Sequence, residues 1–270
     1  VGLEDLGRGA GGHGPILRSG GPARTLPPPM GPRNVDTVVI LCGGRGTRLQ
    51  ERTREIPKPL VEIGGRPILW HVIQIYAVQG FRRFVLCTGY RGEQIEEFAA
   101  AESWPDGVTV ETVDTGGQTP TGGRLARVRD RLEGGTFCAT YADGVADIDL
   151  AALVSEHLDS GLLASITVVR PTLQFGVAEL DDSGRVRGFR EKPRSEHWVN
   201  GGFFCFEPGV LDLLDEASVL ERRPFERLAA DGQLRAYRHT GFWDCMDTYK
   251  DQTLLEDLWR AGQAPWKLWE

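Results

Sequence analysis

A glycine-rich turn follows the first apolar run of the sequence, and its composition suits the binding of an anion. Residues 43–46 read Gly-Gly-Arg-Gly directly after Cys42. Glycines without Cβ atoms let backbone N–H groups approach a phosphate closely. Arg45 and Arg48 flank the last glycine, and a plain strand-exit turn gives no reason for them. The pattern favours a phosphate-binding loop over a purely structural turn.

Spacing excludes two common phosphate-binding motifs. A dinucleotide-binding fingerprint begun at Gly44 needs glycine at the position of Leu49. A P-loop needs Gly-Lys-Ser/Thr after four residues, whereas the first lysine of the chain is Lys58. The sequence therefore predicts neither a nicotinamide-dependent dehydrogenase nor a P-loop NTPase.

The elements that would position this turn alternate between strand-like and helix-like patterns. Strand-like runs lie at 37–42, 83–87, 108–113, 136–141 and 163–169, and amphipathic segments lie at 67–78, 92–101, 124–132 and 150–158. This order predicts an α/β fold with a Rossmann-like, mostly parallel mixed sheet and helices on both faces.

After Pro171 the alternation of strand-like and helix-like segments gives way to short strand-like runs. A polar turn at 181–184 joins two short runs and predicts a hairpin that extends the sheet with antiparallel strands. Residues 203–206 are apolar on both faces and predict a buried central strand, and 249–259 predict a closing helix.

Residues 1–36 are predicted to form a disordered tail before a domain that spans 37–270. The tail holds nine glycines and six prolines and has no helical or strand period, so it cannot bury enough surface to offset the entropy of ordering it.

Composition limits the possible partners. The net charge of −7 argues against a general nucleic-acid binder, which needs a basic excess. No apolar run approaches the 18 residues of a membrane span.

The five cysteines lack CxxC spacing and a histidine partner, so we expect free thiols in a reducing, cytoplasmic compartment. His71 and His239 are predicted to be structural, and the scattered tryptophans to serve packing.

The order of the motifs resembles the sugar-1-phosphate nucleotidyltransferases. Their signature GGxGTRL and a following Lys-Pro match 43–49 and 58–59. Further matches are VEIGGRPILWH at 61–71, DTG at 114–116, TGGRL at 121–125, DGVAD at 143–147 and APWK at 264–267. The resemblance spans 37–270 and is strongest to the members that use CTP and glucose 1-phosphate. It implies the nucleotidyltransferase fold.

The reaction that the resemblance implies joins two anions. A sugar-1-phosphate oxygen attacks the α-phosphorus of CTP, which releases pyrophosphate and forms CDP-glucose. The second pKa of a phosphate monoester is near ~6, so the nucleophile is already ionised and needs no general base. The site must supply cations and orientation. The resemblance assigns these roles to Arg48, Lys58 and Lys192, with solvated surface residues as the alternative.

A magnesium site is also implied. The resemblance assigns Mg²⁺ to Asp143, which follows an apolar run, and to Asp247, because carboxylates and phosphate oxygens are the ligands that this ion prefers. The alternative for Asp247 is an N-cap, since it stands directly before the predicted closing helix.

The resemblance further assigns ligand-binding residues. Those for the nucleotide are Leu41, Cys42, Gly43, Gly44, Arg45, Gly46, Thr47, Thr119, Thr121, Gly122, Gly123, Arg124 and Ala142. Those for the sugar phosphate are Gly176, Glu191, Lys192, Asn200 and Gly201. Close packing is the alternative for the sugar-side glycines, and a helix-surface charge is the alternative for Arg124.

Two departures from the family pattern affect these expectations. Only 101–107 connect the second helix to the strand before Asp114, where the family carries a long insertion, and Ala142 replaces a glycine. A homo-oligomer is expected, although the short connection weakens any inference about its size. UTP, dTTP or another hexose 1-phosphate are the competing substrates, and a catalytically inactive nucleotide-sugar sensor is the competing function. Scattered tryptophans disfavour a glycan-binding module.

Overall fold

A computed structural model of the 270-residue chain describes residues 33–46, 56–132 and 134–270. The strands in these ranges are β1 Thr37–Leu41, β2 Glu62–Ile63, β3 Arg66–Pro67, β4 Arg83–Thr88, β5 Thr109–Asp114, β6 Phe137–Tyr141, β7 Gly144–Ala146, β8 Ala164–Val169, β9 Val177–Leu180, β10 Val186–Arg190, β11 Val199–Phe206, β12 Leu234–Arg238 and β13 Trp243–Cys245. The α-helices are α1 Ile68–Ala77, α2 Gly92–Ala101, α3 Thr121–Arg127, α4 Leu150–Ser160, α5 Arg223–Ala230 and α6 Tyr249–Arg260. Short 3₁₀ helices cover Lys58–Leu60, Arg129–Arg131 and Pro208–Leu213.

A seven-stranded sheet forms the centre of the fold, in the order β12-β8-β11-β6-β1-β4-β5. Strand β11 runs antiparallel to β6 and β8, and the other neighbouring pairs are parallel. This confirms the predicted mostly parallel mixed sheet, including the buried central strand at 203–206.

Strand β1 shows why helices cover both faces of this sheet. Val38 and Ile40 pack into one core and Val39 and Leu41 into the other, because successive side chains of a strand point to opposite faces. Helices α1, α2, α4 and α6 contribute to the first core, and α3 and α5 to the second. A strand with apolar side chains on both faces can bury them only where a layer of helices covers each face of the sheet.

The cysteines on or next to the buried strands of the central sheet are buried as well. Cys42, Cys87, Cys138 and Cys205 are buried and free, and Cys245 is partly exposed. Burial raises the pKa of the Cys87 thiol to about 12. Within the described residues no helix is both long enough and apolar enough to cross a bilayer.

The predicted hairpin forms, but it does not extend the central sheet. Strands β9 and β10 pair with each other in a separate two-stranded sheet, and the antiparallel member of the central sheet is β11. Most residues of the hairpin strands are exposed, so no buried face ties them to a neighbouring strand. Helix α5 and strand β12 were not predicted from the sequence.

The start of the folded domain lies slightly before the predicted boundary at residue 37. Val35 is buried in the core, and the Asp36 carbonyl accepts hydrogen bonds from the backbone N–H groups of Arg82 and Arg83 at 3.2 and 3.0 Å. The predicted disordered tail otherwise falls on residues 1–32, which lie outside the described residues.

An aromatic cluster encloses His71 on helix α1. Its Nε2 lies 2.8 Å from the Ile63 carbonyl, and the Trp266 Nε1–H donates to its Nδ1 at 3.4 Å. The ring of Trp259 lies 4.8 Å from its centroid, edge to face. Burial lowers the pKa of His71 from 6.5 to about 4. The side chain is therefore neutral in the folded protein at pH 7, in agreement with its predicted structural role.

We expect His71 to make stability depend on pH. Between pH 6.5 and about 4 the unfolded chain binds a proton at this imidazole that the folded chain does not, so its contribution to the free energy of unfolding falls as the pH falls. The full loss is roughly 3 kcal/mol. Denaturant unfolding of the wild type and of His71→Gln at pH 7 and pH 4.5 measures it. The stability advantage of the wild type should shrink at the lower pH, and equal pH slopes would contradict the prediction.

Candidate active site

A cleft of about 620 Å³ opens where strands β1 and β6 end. Ligands of open α/β sheets bind at this carboxyl edge. The cleft is lined by Leu41, Cys42, Gly44, Gly46, Lys58, Pro59, Thr119, Pro120, Thr121, Arg124, Tyr141, Ala142, Asp143, Gly144, Asn200, Gly201, Gly202, Trp243, Cys245 and Asp247.

Lys58 joins the two predicted metal ligands inside the cleft. Its Nζ donates to Oδ2 of Asp143 at 2.5 Å and to Oδ1 of Asp247 at 2.7 Å. The side chain of Lys58 is 12% exposed, and the two carboxylates are about one quarter exposed. Two carboxylates therefore converge on a single cation in a partly dehydrated site.

A short ladder brings the two aspartates together. Cys245 on β13 pairs with Gly144 on β7, and the Met246 N–H donates to the Asp143 carbonyl at 2.9 Å. Asp247 follows directly, before helix α6. The N-cap of that helix is Thr248, which forms a capping box with Asp251. The N-cap alternative for Asp247 therefore does not hold, and its carboxylate faces Lys58 instead.

Helix α6 also fixes the segment that carries Lys58. Pro57 is extended and Pro59 is buried in the 3₁₀ helix that Lys58 begins, so the backbone on both sides of Lys58 is restricted. From α6, Gln252 Nε2 donates to the Glu62 carbonyl at 3.1 Å, and the Glu256 carboxylate accepts from the Gly64 N–H at 2.6 Å. The same helix thus positions both Lys58 and Asp247.

Electrostatics keep Lys58 charged. Burial acts to lower the pKa of its ammonium, but the attraction and hydrogen bonds of the Asp143 and Asp247 carboxylates outweigh burial, and the net pKa is raised.

The donor set fits a divalent cation that prefers oxygen. Asp143 and Asp247 each have a carboxylate oxygen within 2.7 Å of the same cationic atom, so both already point at one cation position. In the described part of the chain, no group of three or more histidine, cysteine or acidic side chains is arranged to hold a metal ion by itself. An ion here would complete its shell with phosphate oxygens and water, which is the usual manner of Mg²⁺.

Arg124 lies beneath the glycine-rich turn and is only 4% exposed. Its Nη2 donates to the Gly43 carbonyl at 2.9 Å, and its Nη1 donates to the Thr88 carbonyl at 2.8 Å and to Thr115 Oγ1 at 2.6 Å. A Cβ added to Gly43 would lie 2.0 Å from Nη1. The alternative of a helix-surface charge therefore does not hold: Arg124 ties the turn to the end of β4.

Replacing Arg124 by methionine is expected to destabilise the protein. The three hydrogen bonds from the guanidinium would be lost, whereas the Gly43 and Thr88 carbonyls would keep their bonds from the backbone N–H groups of Tyr90 and Thr115. The net contribution of one such hydrogen bond is about 0.5–1.5 kcal/mol. We expect a total loss of about 3 kcal/mol in denaturant unfolding, with Arg235→Met, which removes an exposed ion pair to Glu156, as the control. A loss below 1 kcal/mol would contradict this account.

Most of the predicted nucleotide residues line the cleft, but not all. Those that do are Leu41, Cys42, Gly44, Gly46, Thr119, Thr121, Arg124 and Ala142. A Cβ on Gly44 would meet no atom of the described residues within 4 Å, so these residues leave room for a ligand at this part of the turn. Arg45 lies outside the lining and places its guanidinium over the Tyr90 ring, 5.9 Å from the centroid. Thr47 and Arg48 lie outside the described residues.

Gly122 and Gly123 contact protein rather than the cleft. A Cβ on Gly122 would lie 2.8 Å from the Ser218 carbonyl oxygen, and one on Gly123 would lie 2.3 Å from that of Glu216. The Gly123 N–H donates to the Ser218 carbonyl at 3.0 Å. The two glycines therefore allow residues 216–218 to pack closely against α3.

The predicted sugar-phosphate residues divide into two groups. Asn200 and Gly201 line the cleft at the start of β11. Gly176, Glu191 and Lys192 lie outside its lining, beside or directly after the β9–β10 hairpin. Lys192 has φ +45°, an uncommon conformation for a residue with a side chain, and its ammonium lies 3.7 Å from the Glu191 carboxylate.

Seven residues of the cleft lining were not identified as site residues from the sequence: Pro59, Pro120, Tyr141, Gly144, Gly202, Trp243 and Cys245. Trp243 Nε1 donates to the Gly201 carbonyl at 2.8 Å, so it orders the start of β11 at the cleft and does more than pack. The available signal was the period of two, since Trp243 and Cys245 are alternate residues of β13 and the predicted metal ligand Asp247 follows two positions later.

Comparison with known proteins gives consistent results. A profile of the nucleotidyl transferase family matches residues 37–244. The chain is 42% identical over 259 residues to a glucose-1-phosphate cytidylyltransferase of Salmonella typhi, covering 86% of this chain and 99% of that one. It is 32% identical over 229 residues to the mannose-1-phosphate guanylyltransferase catalytic subunit beta of Drosophila melanogaster, covering 81% and 61%.

Among solved structures, HddC from Yersinia pseudotuberculosis superposes with a TM-score of 0.67 at 22% identity, covering 83% of this chain and 100% of that one. This likeness supports the fold.

Proposed function

Because this chain belongs to the nucleotidyl transferase family, we propose that it transfers the cytidylyl group of CTP to α-D-glucose 1-phosphate, giving CDP-glucose and pyrophosphate. The observation that carries the proposal is the Lys58–Asp143–Asp247 cluster in the cleft beside the glycine-rich turn. The Salmonella typhi relative, named for CTP-dependent chemistry on glucose 1-phosphate, supports this choice of substrates.

The cluster and the turn supply the positive charge and the N–H donors that a reaction between two anions requires. Two phosphate-bearing ligands repel each other, and the attacking oxygen needs no base because it is ionised near neutral pH. Catalysis then depends on holding the two ligands in line and compensating their charge. Lys58 supplies a permanent ammonium, and the turn supplies backbone N–H groups that Arg124 holds in place.

Asp143 and Asp247 would hold the metal ion, for which we propose Mg²⁺. When bound, this ion supplies positive charge to phosphate oxygens as negative charge develops on them. Lys58 would contact a phosphate oxygen of the substrates. Arg48 and Lys192 are proposed to add further positive charge to the phosphates.

Substrate contacts follow the two sides of the cleft. Thr119 and Thr121, at the start of α3, would face the base, and Asn200 and Gly201 would face the sugar. Glu191 would contact sugar hydroxyls, with Lys192 at the sugar phosphate. A homo-oligomer is also proposed, and it is supported by exposed phenylalanines on the hairpin segment, since Phe175 is 81% exposed and Phe189 65%.

A substrate panel tests the proposal. Four nucleoside triphosphates and several hexose 1-phosphates are compared by pyrophosphate release in the presence of Mg²⁺. We expect the highest kcat/KM with CTP and glucose 1-phosphate. Equal or better turnover with UTP or dTTP would overturn the assignment of the nucleotide. Absence of turnover with every pair would favour a catalytically inactive sensor.

A further inference from the structure

The carboxylate of Glu221 bridges the two sides of the cleft. Its Oε2 accepts a hydrogen bond from Thr121 Oγ1 at 2.7 Å, and its Oε1 accepts one from the Tyr141 hydroxyl. Thr121 begins α3 on the nucleotide side, and Tyr141 ends β6. Glu221 does not itself line the cleft, whereas both of its partners do.

Tyr141 continues the connection to the sugar side. Asn200 Nδ2 donates to the Tyr141 hydroxyl oxygen at 3.3 Å, and the Asn200 carboxamide oxygen accepts from the Gly202 N–H at 2.9 Å. Gly202 has φ +79°, and a Cβ there would lie 2.5 Å from the Tyr141 ring. The close approach of this ring to β11 therefore requires glycine.

The Tyr141 hydroxyl both donates and accepts in this arrangement. It donates to Glu221 Oε1 and accepts from Asn200 Nδ2. A hydrogen bond from a hydroxyl to a carboxylate is stronger than one between neutral groups.

Thr121 is restrained from a second direction. Its Oγ1 donates to Glu221 and accepts from the Leu220 N–H at 3.0 Å. Leu220 and Glu221 are consecutive, so one backbone segment fixes the rotamer of Thr121 through two hydrogen bonds. The first residue of α3 is thereby tied to the same group that orients Tyr141.

We propose that Glu221 is a positioning residue that sets the nucleotide side and the sugar side of the cleft relative to each other, acting through Thr121 and Tyr141. The inference rests on the proposed function, because it concerns the alignment of the two substrates. Small displacements of reacting groups lower the rate more than they lower binding. Removing Glu221 should therefore lower kcat rather than raise the KM for CTP.

Glu216 provides a matched control. It lies on the same segment and also contacts α3, through an ion pair with Arg127 at 2.6 Å. Glu216 is exposed, as is Glu221, but the Glu216 carboxylate does not contact a residue that lines the cleft. Glu221→Ala and Glu216→Ala thus each remove one link between the same two elements, but only the first reaches Tyr141.

The test measures kcat and the KM of each substrate for the wild type and both variants. We expect Glu221→Ala to lower kcat at least tenfold with the KM for CTP within threefold, and Glu216→Ala to keep kcat within twofold. Because Glu221 acts through Tyr141, Tyr141→Phe should cost less in the Glu221→Ala background than in the wild type.

Several results would overturn the inference. These are a kcat of Glu221→Ala within twofold of the wild type, an equal loss in Glu216→Ala, a loss confined to KM, or full additivity with Tyr141→Phe. Failure of the wild type to release pyrophosphate from CTP and glucose 1-phosphate would instead overturn the proposed function, and the inference with it.

Discussion

Asp143→Asn is expected to lower kcat by two or more orders of magnitude while the protein stays folded. The amide is nearly isosteric with the carboxylate, and the side chain is one quarter exposed, so packing changes little. What is lost is one negative charge at the point where two carboxylates converge on a cation. With that carboxylate gone, the cation is held less well and compensates less of the negative charge on the reacting phosphates. This charge compensation matters mainly in the transition state, so its loss lowers kcat.

Asp106→Asn is a suitable control, because this aspartate is exposed in the loop between α2 and β5. It should retain wild-type turnover. Pyrophosphate release gives the rates, and thermal unfolding shows that both variants are folded. A folded Asp143→Asn enzyme with more than a tenth of wild-type kcat would contradict the proposed metal position.

Lys58→Met should have two effects of opposite sign. Activity should fall at least a hundredfold, because an ammonium that compensates phosphate charge is removed. Affinity for Mn²⁺ in the absence of substrates should rise, about tenfold, because in the wild type the ammonium occupies the position between Asp143 and Asp247 and competes with a metal ion there. Manganese binding followed by electron paramagnetic resonance measures the second effect.

Lys250→Met separates this local effect from a change of net charge. Both variants remove one positive charge, but Lys250 contacts Gln174 on the surface, at 2.9 Å. We expect it to change neither turnover nor manganese affinity by more than twofold. Equal or weaker manganese binding by Lys58→Met would show that the ammonium and the ion do not share a position.

The central strands could be predicted from the sequence because a strand that is buried on both faces appears there as a continuous apolar run. Val38 to Leu41 alternate between two cores, and only a strand covered on both faces accepts such a run. Strand β12 leaves no such trace. Its residues 235 and 236 are exposed at the edge of the sheet, and its place is set by the pairing with β8. Edge pairing depends on tertiary context more than on pattern.

The site could be predicted in part for a similar reason. Asp143 and Asp247 follow strands or precede a helix, so their places could be anticipated, and the structure brings both to Lys58. Glu221 and Tyr141 meet only because separate elements fold together, and no spacing signals that contact. Gly122 and Gly123 show the converse, since two glycines that the resemblance assigned to nucleotide binding allow close packing of the backbone of 216–218.

The pairing of β7 with β13 has a consequence for the timing of folding during synthesis. Lys58 and Asp247 are separated by 189 positions along the chain, and α6, which fixes them both, follows every strand of the central sheet in the sequence. A nascent chain can form the early strands but lacks the second carboxylate until residues 247–260 emerge from the ribosome. Contacts of such long sequence separation form late. Chains truncated before Asp247 should therefore be inert toward nucleotides even where their sheet has assembled.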